Sequence, residues 1–406
     1  MVDFKLSPEE ENLYNKAKEF AKKHIIPRTQ EYDKKDEVPL DIVQKAYEEG
    51  LMNLHIPKEA GGPGLSLLAE TFVSEATGYG CSGMATTIMC NNLAFAPLVI
   101  AATTEQLKKY ITPLITGDKV RFGSFCLTER VAGSDAANTQ TRAVKDGGEY
   151  IINGSKCFIT NAPLADKTAG VHTVFATTNP ELKHKGISVF MVKADLPGVS
   201  IGHIENKMGQ KGSTQSEVIF EDVRVPEECL VGNEGEGFKI AMKTLDKTRA
   251  GIAAIATGVA QRAVDEAARF ANTRIQFGKP IGRYQGISFT LSDMGCRAAA
   301  ARQLTRYAAW LADNDLPNSK DSAFAKYFAS DAAMQNATDA VQIFGGYGYM
   351  SEYPVEKLMR DAKLLQIYEG TNQVQRLVAG NTILGEAKNL DTGYVLDYPG
   401  RDAPRI

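Results

Sequence analysis

The spacing of apolar residues changes twice along the chain. In the first third, Leu13, Ala17, Phe20 and His24 recur at three- and four-residue steps, the signature of one buried helix face. Ahead of them, Ser7-Pro8-Glu9-Glu10 reads as a capping box with proline at the first helical position. Further helical stretches follow Pro39 and Gly64. The break Ala60-Gly61-Gly62-Pro63-Gly64 is a loop and not a phosphate cradle, because no strand and helix flank it. Near Arg121 the period shortens. Val171 to Thr177, Ile187 to Lys193 and Glu217 to Val225 are short and rich in β-branched and aromatic residues. Glu149 to Lys156 carries Asn153-Gly154 between apolar runs, a hairpin signal. From Gly237 the helical period returns. Ile252, Ile255, Val259, Ala263, Ala267 and Phe270 mark one face of a long helix, and alanine-rich helices follow through Gly345.

This pattern predicts an α+β chain in three parts. Residues 1–122 form a helical domain, and 123–234 a β-domain of barrel or sandwich type. Residues 235–388 form a four-helix bundle, whose small contact residues suit close antiparallel packing. A tail, 389–406, follows. Strands and helices do not alternate, so a Rossmann fold is not expected. The length of 406 residues accommodates two or three domains.

Bulk properties narrow the function. A net charge of −3 without any long basic run excludes a nucleic-acid footprint. The six cysteines are scattered with no CxxC pair, as expected of reduced thiols in a reducing compartment. The five histidines show no metal-ligand spacing, so no metal is expected. No signal-peptide pattern precedes Ser7. The longest apolar run, Leu93 to Ala102, is too short to cross a bilayer and contains Pro97. A cytoplasmic protein that does not engage a membrane is expected; a processed mitochondrial matrix chain would read the same way.

The candidate chemistry lies near the C-terminus. In Leu365-Gln366-Ile367-Tyr368-Glu369-Gly370-Thr371-Asn372-Gln373 a carboxylate sits among aliphatic and aromatic neighbours and precedes a glycine. Desolvation raises the proton affinity of such a group and makes it a usable base near neutral pH. The glycine allows another molecule close to the backbone. Composition alone favours a plainer reading, an exposed carboxylate at a helix end.

Three blocks change that balance. Gln342 to Asp361 (QIFGGYGYMSEYPVEKLMRD) with Ile367 to Arg376 (IYEGTNQVQR) resembles the C-terminal signature and catalytic segment of the acyl-CoA dehydrogenases, nearest the short- and medium-chain branch. Cys126 to Asp135 (CLTERVAGSD) resembles the family's N-terminal signature, and Asp246-Lys247-Thr248-Arg249 its substrate-side helix. The likeness spans nearly the whole chain in family order.

The resemblance implies an FAD site built from several segments. Phe125, Leu127, Thr128, Gly133 and Ser134 come from the first signature, with Thr128 on the pyrimidine side of the flavin. Phe158, Ile159 and Thr160 flank the ring, with phenylalanine where relatives often carry tryptophan. An alternating core strand is the alternative for this trio. Arg274 suits a pyrophosphate and Phe277 the adenosine half, and Gln285 is a further cofactor-binding candidate. The glycines of Gln342, Ile343, Gly345 and Gly346 let backbone N–H groups meet phosphate or ribose oxygens. Thr371, Asn372 and Gln373 complete the set. In the family the Arg274 and Gln342 segments serve the neighbouring subunit's flavin, which implies a homotetramer, a dimer of dimers.

The implied reaction is α,β-dehydrogenation of an acyl-CoA to the 2,3-enoyl form. Glu369 abstracts the α-proton, flavin N5 takes the β-hydride, and electron-transfer flavoprotein receives the electrons. Some relatives carry the base at the position of Thr248 instead. Ser134, Asp246 and Arg249 would contact CoA, and Gly370 keeps the turn narrow beside CoA and flavin; a solvated i,i+3 helix pair is the alternative for Asp246 and Arg249. Met89, Phe95 and Tyr368 are candidates for an apolar acyl tunnel of short to medium depth. Arg130-Val131 replace the usual proline and glycine, which is expected to loosen that loop and add a cation near the flavin edge. An acyl-CoA oxidase or flavin monooxygenase using O₂ on the same scaffold is the alternative, as is a colourless acyl-CoA carrier.

Overall fold

The structure, a computed structural model, describes residues 6–388; the expected tail, 389–406, lies outside the described residues. The first helix begins where the capping box predicts. Glu10 N donates to Ser7 Oγ at 3.2 Å and Ser7 N to Glu10 Oε2 at 2.8 Å. Helix α1 (Pro8–Phe20) then runs into a π turn, Ala21–Ile25. The wider turn shifts the helix phase, so Ile25 and not His24 continues the buried stripe.

Six more helices complete this part: α2 (Thr29–Lys35), α3 (Leu40–Glu48), α4 (Leu67–Gly80), α5 (Ser82–Ala101), α6 (Thr104–Tyr110) and α7 (Thr112–Ile115). Helix α5 extends well before the apolar run seen in the sequence. It is long and apolar enough, by length and composition alone, to cross a membrane. However, 78% of its apolar window is buried inside the protein. It packs against α4, α9 (below) and the first strand as a core helix.

The strands are β1 (Gly123–Cys126), β2 (Arg142–Asp146), β3 (Glu149–Thr160), β4 (Val171–Thr177), β5 (Ile187–Lys193), β6 (Val199–Ile204), β7 (Gln215–Pro226) and β8 (Leu230–Val231). A short helix, α8 (Ala162–Lys167), interrupts them. The sheet order is β6-β7-β3-β2-β4-β5-β8, with β1 beside β4. A single pair, Arg142 with Thr177, joins β2 to β4. The halves on either side of that junction share one apolar core, with Ile152, Val218 and Phe220 from one and Val174, Phe175 and Phe190 from the other.

The Asn-Gly signal is a bulge and not a hairpin. Strand β3 runs unbroken through Asn153-Gly154, where its register against β7 shifts. Gly154 has φ +147°, and a Cβ there would lie 2.6 Å from Thr141 Oγ1. Asn153 reaches sideways instead: its Nδ2 donates to Asp222 Oδ1 at 2.9 Å and its Oδ1 accepts from Asp222 N at 2.8 Å. The β2–β3 turn falls at Gly147-Gly148.

Helix α9 (Gly237–Thr273) spans the molecule. A small hairpin of β9 (Ile275–Gln276) and β10 (Lys279–Pro280) leads to α10 (Gln285–Asp313), α11 (Ser319–Phe344), α12 (Pro354–Leu365) and α13 (Asn372–Ala387). The bundle core is small-residue packing: Ala263, Ala267, Ala298, Ala301, Ala333 and Ala337 are all fully buried. Asn336 Nδ2 ties three helices, donating to Ala260 O at 3.2 Å and Met294 O at 2.9 Å.

Candidate active site

The turn between α12 and α13 carries Tyr368-Glu369-Gly370-Thr371. Glu369 is left-handed, φ +52°, and Gly370 follows at φ +90°. A non-glycine residue in that region is strained by roughly 1–3 kcal/mol and persists only where its surroundings dictate it. Here they do. Thr371 caps α13, its Oγ1 accepting from Val374 N at 3.2 Å. Gln375 Nε2 donates to Gly370 O at 3.0 Å and lies 3.3 Å from Glu369 O. Lys326 Nζ, from α11, donates to Gly370 O at 2.9 Å. The φ of +90° at residue 370 favours glycine, and a Cβ there would also push aside Gln375 Nε2, 2.5 Å away.

The Glu369 side chain points to α9, where Thr248 Oγ1 donates to its Oε2 at 2.8 Å. Burial pushes this carboxyl up to about 7, against the Thr248 hydrogen bond and the cations Lys326 and Arg249. The residue is half-buried, which leaves one side of the carboxylate open. Its backbone N–H has no backbone acceptor among the described residues. Tyr368 lies alongside, its hydroxyl 3.4 Å from Thr86 Oγ1, and burial raises its phenol so that it stays protonated.

Next to Thr248 on α9, Arg249 is 3% exposed and pairs with Asp246 at 2.6 Å. This is not the solvated surface pair considered as the alternative. Ser319 Oγ also donates to Asp246 Oδ1 at 3.1 Å. Arg249 Nε is buried without an acceptor among the described residues. A cavity of about 170 Å³ opens beside Thr248, lined by His55, Glu70, Asn92, Ala96 and Val99 among others. Phe95 is not among its lining residues; it is fully buried in the β-domain core. Met89 is buried with the N-terminal helices.

The first signature and β3 meet directly, Cys157 N donating to Thr128 O at 2.9 Å. Phe125 and Thr128 are half-buried, Leu127 is buried, and Gly133 and Ser134 are exposed. A second bulge in β3, between Lys156 and Ile159, turns Phe158 outward at φ +58° and leaves it 63% exposed. Ile159 stays in the core, and Thr160 Oγ1 accepts from Gln215 Nε2 at 3.1 Å. The trio itself alternates outward, inward, outward; the alternation breaks just before it, where Lys156 and Cys157 are both buried.

Arg130 and Val131 do not loosen the loop. They are the central residues of a turn closed by Glu129 N to Ala132 O and Ala132 N to Glu129 O, each 3.1 Å. The Arg130 guanidinium lies 3.3 Å from Glu217. Beneath it runs a network that the sequence reading missed. Lys156, fully buried, donates to Glu129 Oε1 at 2.7 Å and Leu127 O at 3.1 Å. Glu129 also accepts from Thr141 Oγ1 at 2.7 Å and Gln140 N at 2.7 Å.

The Arg274, Phe277, Gln285 and Gln342–Gly346 candidates gather at the far end of the bundle from Glu369. Arg274 sits 5.3 Å above the Tyr347 ring. Phe277, left-handed at φ +52°, is 95% exposed. Gln285 opens α10 and is exposed, as are Gln342, Gly345 and Gly346; Ile343 is buried. Gln373 is exposed on α13. Asn372 is 2% exposed and committed to α11: its Oδ1 accepts from Lys326 Nζ at 3.1 Å and its Nδ2 donates to Asp331 Oδ1 at 2.7 Å. Among the described residues no three His, Cys, Asp or Glu side chains could hold a metal.

A three-part helix–sheet–bundle chain with a desolvated carboxylate facing a buried arginine defines the class. The comparisons give the family. Acyl-CoA dehydrogenase N-terminal, middle and C-terminal domains match residues 7–118, 124–223 and 235–384. “Acyl-CoA dehydrogenase, short-chain specific” of Clostridium acetobutylicum is 41% identical, over 94% of this chain and 100% of its own. Butyryl-CoA dehydrogenase from Megasphaera elsdenii superposes with TM-score 0.91 at 40% identity, covering 94% of this chain and 100% of that one. A chain from the structure “Electron transferring flavoprotein of Acidaminococcus fermentans: Towards a mechanism of flavin-based electron bifurcation” superposes with TM-score 0.90 at 43% identity, with coverage of 94% and 100%. The chain belongs to the acyl-CoA dehydrogenase family. Membership makes FAD its cofactor. The residues present fit a flat ring, with outward Phe158 flanked by the half-buried hydroxyls Thr128 and Thr160.

Proposed function

We propose that the chain oxidises a short-chain acyl-CoA thioester to its 2,3-enoyl-CoA, with Glu369 as the base that takes the α-proton. The observation that carries this is the Glu369 carboxyl itself. It is half-buried, raised to about 7, tuned by Thr248 at 2.8 Å, and fixed on a turn that sequence-distant residues hold. A base whose pKa lies near the working pH combines a useful ionised fraction with useful basicity. Bound FAD supplies the acceptor for the β-hydrogen, which leaves as hydride.

The protein's own groups supply the rest. The Glu369 N–H is placed to donate to the thioester carbonyl oxygen, which increases the acidity of the α-proton. The buried Arg249 Nε offers a donor to the CoA arm, and Asp246 fixes the guanidinium plane. Substrate filling the open side of Glu369 displaces water and strengthens each of these interactions. The short-chain assignment draws on two similar proteins named for short acyl substrates.

Electron-transfer flavoprotein is the proposed acceptor and the cytoplasm the proposed compartment. The proposed assembly is a dimer of dimers in which Arg274, Phe277 and the Gln342–Gly346 turn reach a neighbour's flavin. The near-complete exposure of Phe277 supports that arrangement.

The test is Glu369→Gln in the FAD-loaded protein, mixed anaerobically with butyryl-CoA. It should stay yellow and bind CoA thioesters while flavin bleaching slows by several orders of magnitude, about the 10²–10⁴-fold of lost general-base catalysis or more. Near-normal bleaching would remove the mechanism.

A further inference from the structure

Lys326 is fully buried on α11, in a stripe otherwise made of small residues such as Ser322, Ala329, Ser330 and Ala333. Burying an ammonium is costly, and its position needs a reason. Its two acceptors are Gly370 O at 2.9 Å and Asn372 Oδ1 at 3.1 Å, both neutral. Gly370 O also accepts from Gln375 Nε2 at 3.0 Å. A neutral donor at position 326 could serve both neutral acceptors, so what the ammonium adds is positive charge directly beneath the Glu369–Thr371 turn.

We propose that Lys326 is a positioning residue for the base: its ammonium clamps the left-handed turn from below and favours the carboxylate form of Glu369. This rests on the assignment of Glu369 as the base. The other groups facing Glu369 do not duplicate the role. From α9, Thr248 donates a neutral hydrogen bond, and the Arg249 charge is shared with Asp246. From α4, Glu70 opposes ionisation, as does Glu369's desolvation, while Cys90 of α5 is itself pushed toward the neutral thiol. Lys326 in turn faces Glu369, Arg249 and Asp331. Burial lowers the lysine to about 7, so acid and ammonium titrate in one range and each stabilises the other's charged form.

Lys326→Gln keeps a donor and removes the charge, and Lys326→Arg keeps the charge. Each is prepared as full-length FAD-loaded protein, and the rate of anaerobic flavin bleaching by butyryl-CoA is followed across the neutral pH range. The acidic limb of Lys326→Gln should move up by roughly one pH unit, making bleaching about tenfold slower below the midpoint and converging with wild type above it. Lys326→Arg should hold the limb within a few tenths of a unit. A Lys326→Gln limb that coincides with wild type overturns the inference and leaves the proposed function standing. Lys326→Met makes the same charge-free comparison if the glutamine variant does not retain FAD. Wild-type protein that bleaches with no acyl-CoA overturns both.

Discussion

Thr248 Oγ1 stands 2.8 Å from Glu369 Oε2 and so joins the long helix α9 to the turn between α12 and α13. The two residues are 121 positions apart. They are also the two positions at which the family resemblance locates the base. The geometry explains why both serve: each points at the same spot, from opposite walls of one slot. Here the acid occupies the turn, and the helix contributes a hydroxyl that steadies it.

Replacing Thr248 by valine preserves shape and removes the donor. A hydrogen bond to a charged group contributes about 1.5–3 kcal/mol, lessened where the group keeps some solvent. The Glu369 carboxyl should therefore rise further, and the midpoint of the acidic limb of flavin bleaching should move up by roughly one pH unit. Rates on the alkaline plateau should change little. An unmoved limb would mean that the hydrogen bond does not form in the working enzyme.

The Lys156–Glu129 pair anchors the loop after β1, which is proposed to meet the flavin. Both partners are buried, and Lys156 also holds Leu127 O. Lys156→Met leaves Glu129 charged and unpaired, a change that destabilises by about 3–5 kcal/mol. Lys156→Met with Glu129→Leu removes both charges and should recover much of that loss, because a well-packed apolar pair can match a buried ion pair. Urea unfolding of the three proteins checks the pattern. Flavin content should fall in the single variant, since Thr128 sits on the loop that Lys156 pins. A single variant within about 1 kcal/mol of wild type contradicts this account.

Arg274→Ala should lower FAD retention with little effect on folding. Among the described residues the half-buried guanidinium rests over the Tyr347 ring, a contact of about 0.5–1 kcal/mol at exposed sites. The flavin-to-protein absorbance ratio after gel filtration should drop, while the thermal midpoint of the flavin-free protein stays near that of wild type. Unchanged flavin occupancy would remove Arg274 from the site.

The fold was legible because its periods are plain: the Ser7–Glu10 cap, the Ile252–Phe270 stripe and the β-branched runs each encode their element locally. Bulges were not. Asn153-Gly154 has the composition of a turn, and only the paired strand β7 decides that the chain continues straight. The π turn after Phe20 similarly moves the stripe from His24 to Ile25 without a local marker. Glu369 stood out by its motif, but its surroundings did not. Thr248, Gln375 and Lys326 converge on it from separate helices, and no spacing within one segment reveals that. The one available signal was Lys326 itself, a cation in an alanine stripe. Glu129 and Lys156 were likewise two charges on strand and loop positions that point inward.

The raised Glu369 carboxyl also leaves a mark on stability. Its ordinary value is 4.5 and its value in the folded protein about 7. The folded state therefore binds this proton more tightly than the unfolded chain. That advantage is fully present below about pH 4.5 and is lost as pH rises through about 7. Glutamine imitates the protonated acid at every pH. Substrate-free Glu369→Gln and wild type should thus melt together near about pH 4, and the variant should be the more stable near about pH 8. Each tenfold change in proton affinity corresponds to about 1.4 kcal/mol, and the residue's partial exposure reduces the full figure, so a gain of about 1–2 kcal/mol is expected. Thermal midpoints of the two FAD-loaded proteins at both pH values check it. A difference that is the same at both, or larger on the acid side, would mean that this carboxyl is as well solvated as any on the surface, and the case for it as the base would fall with it.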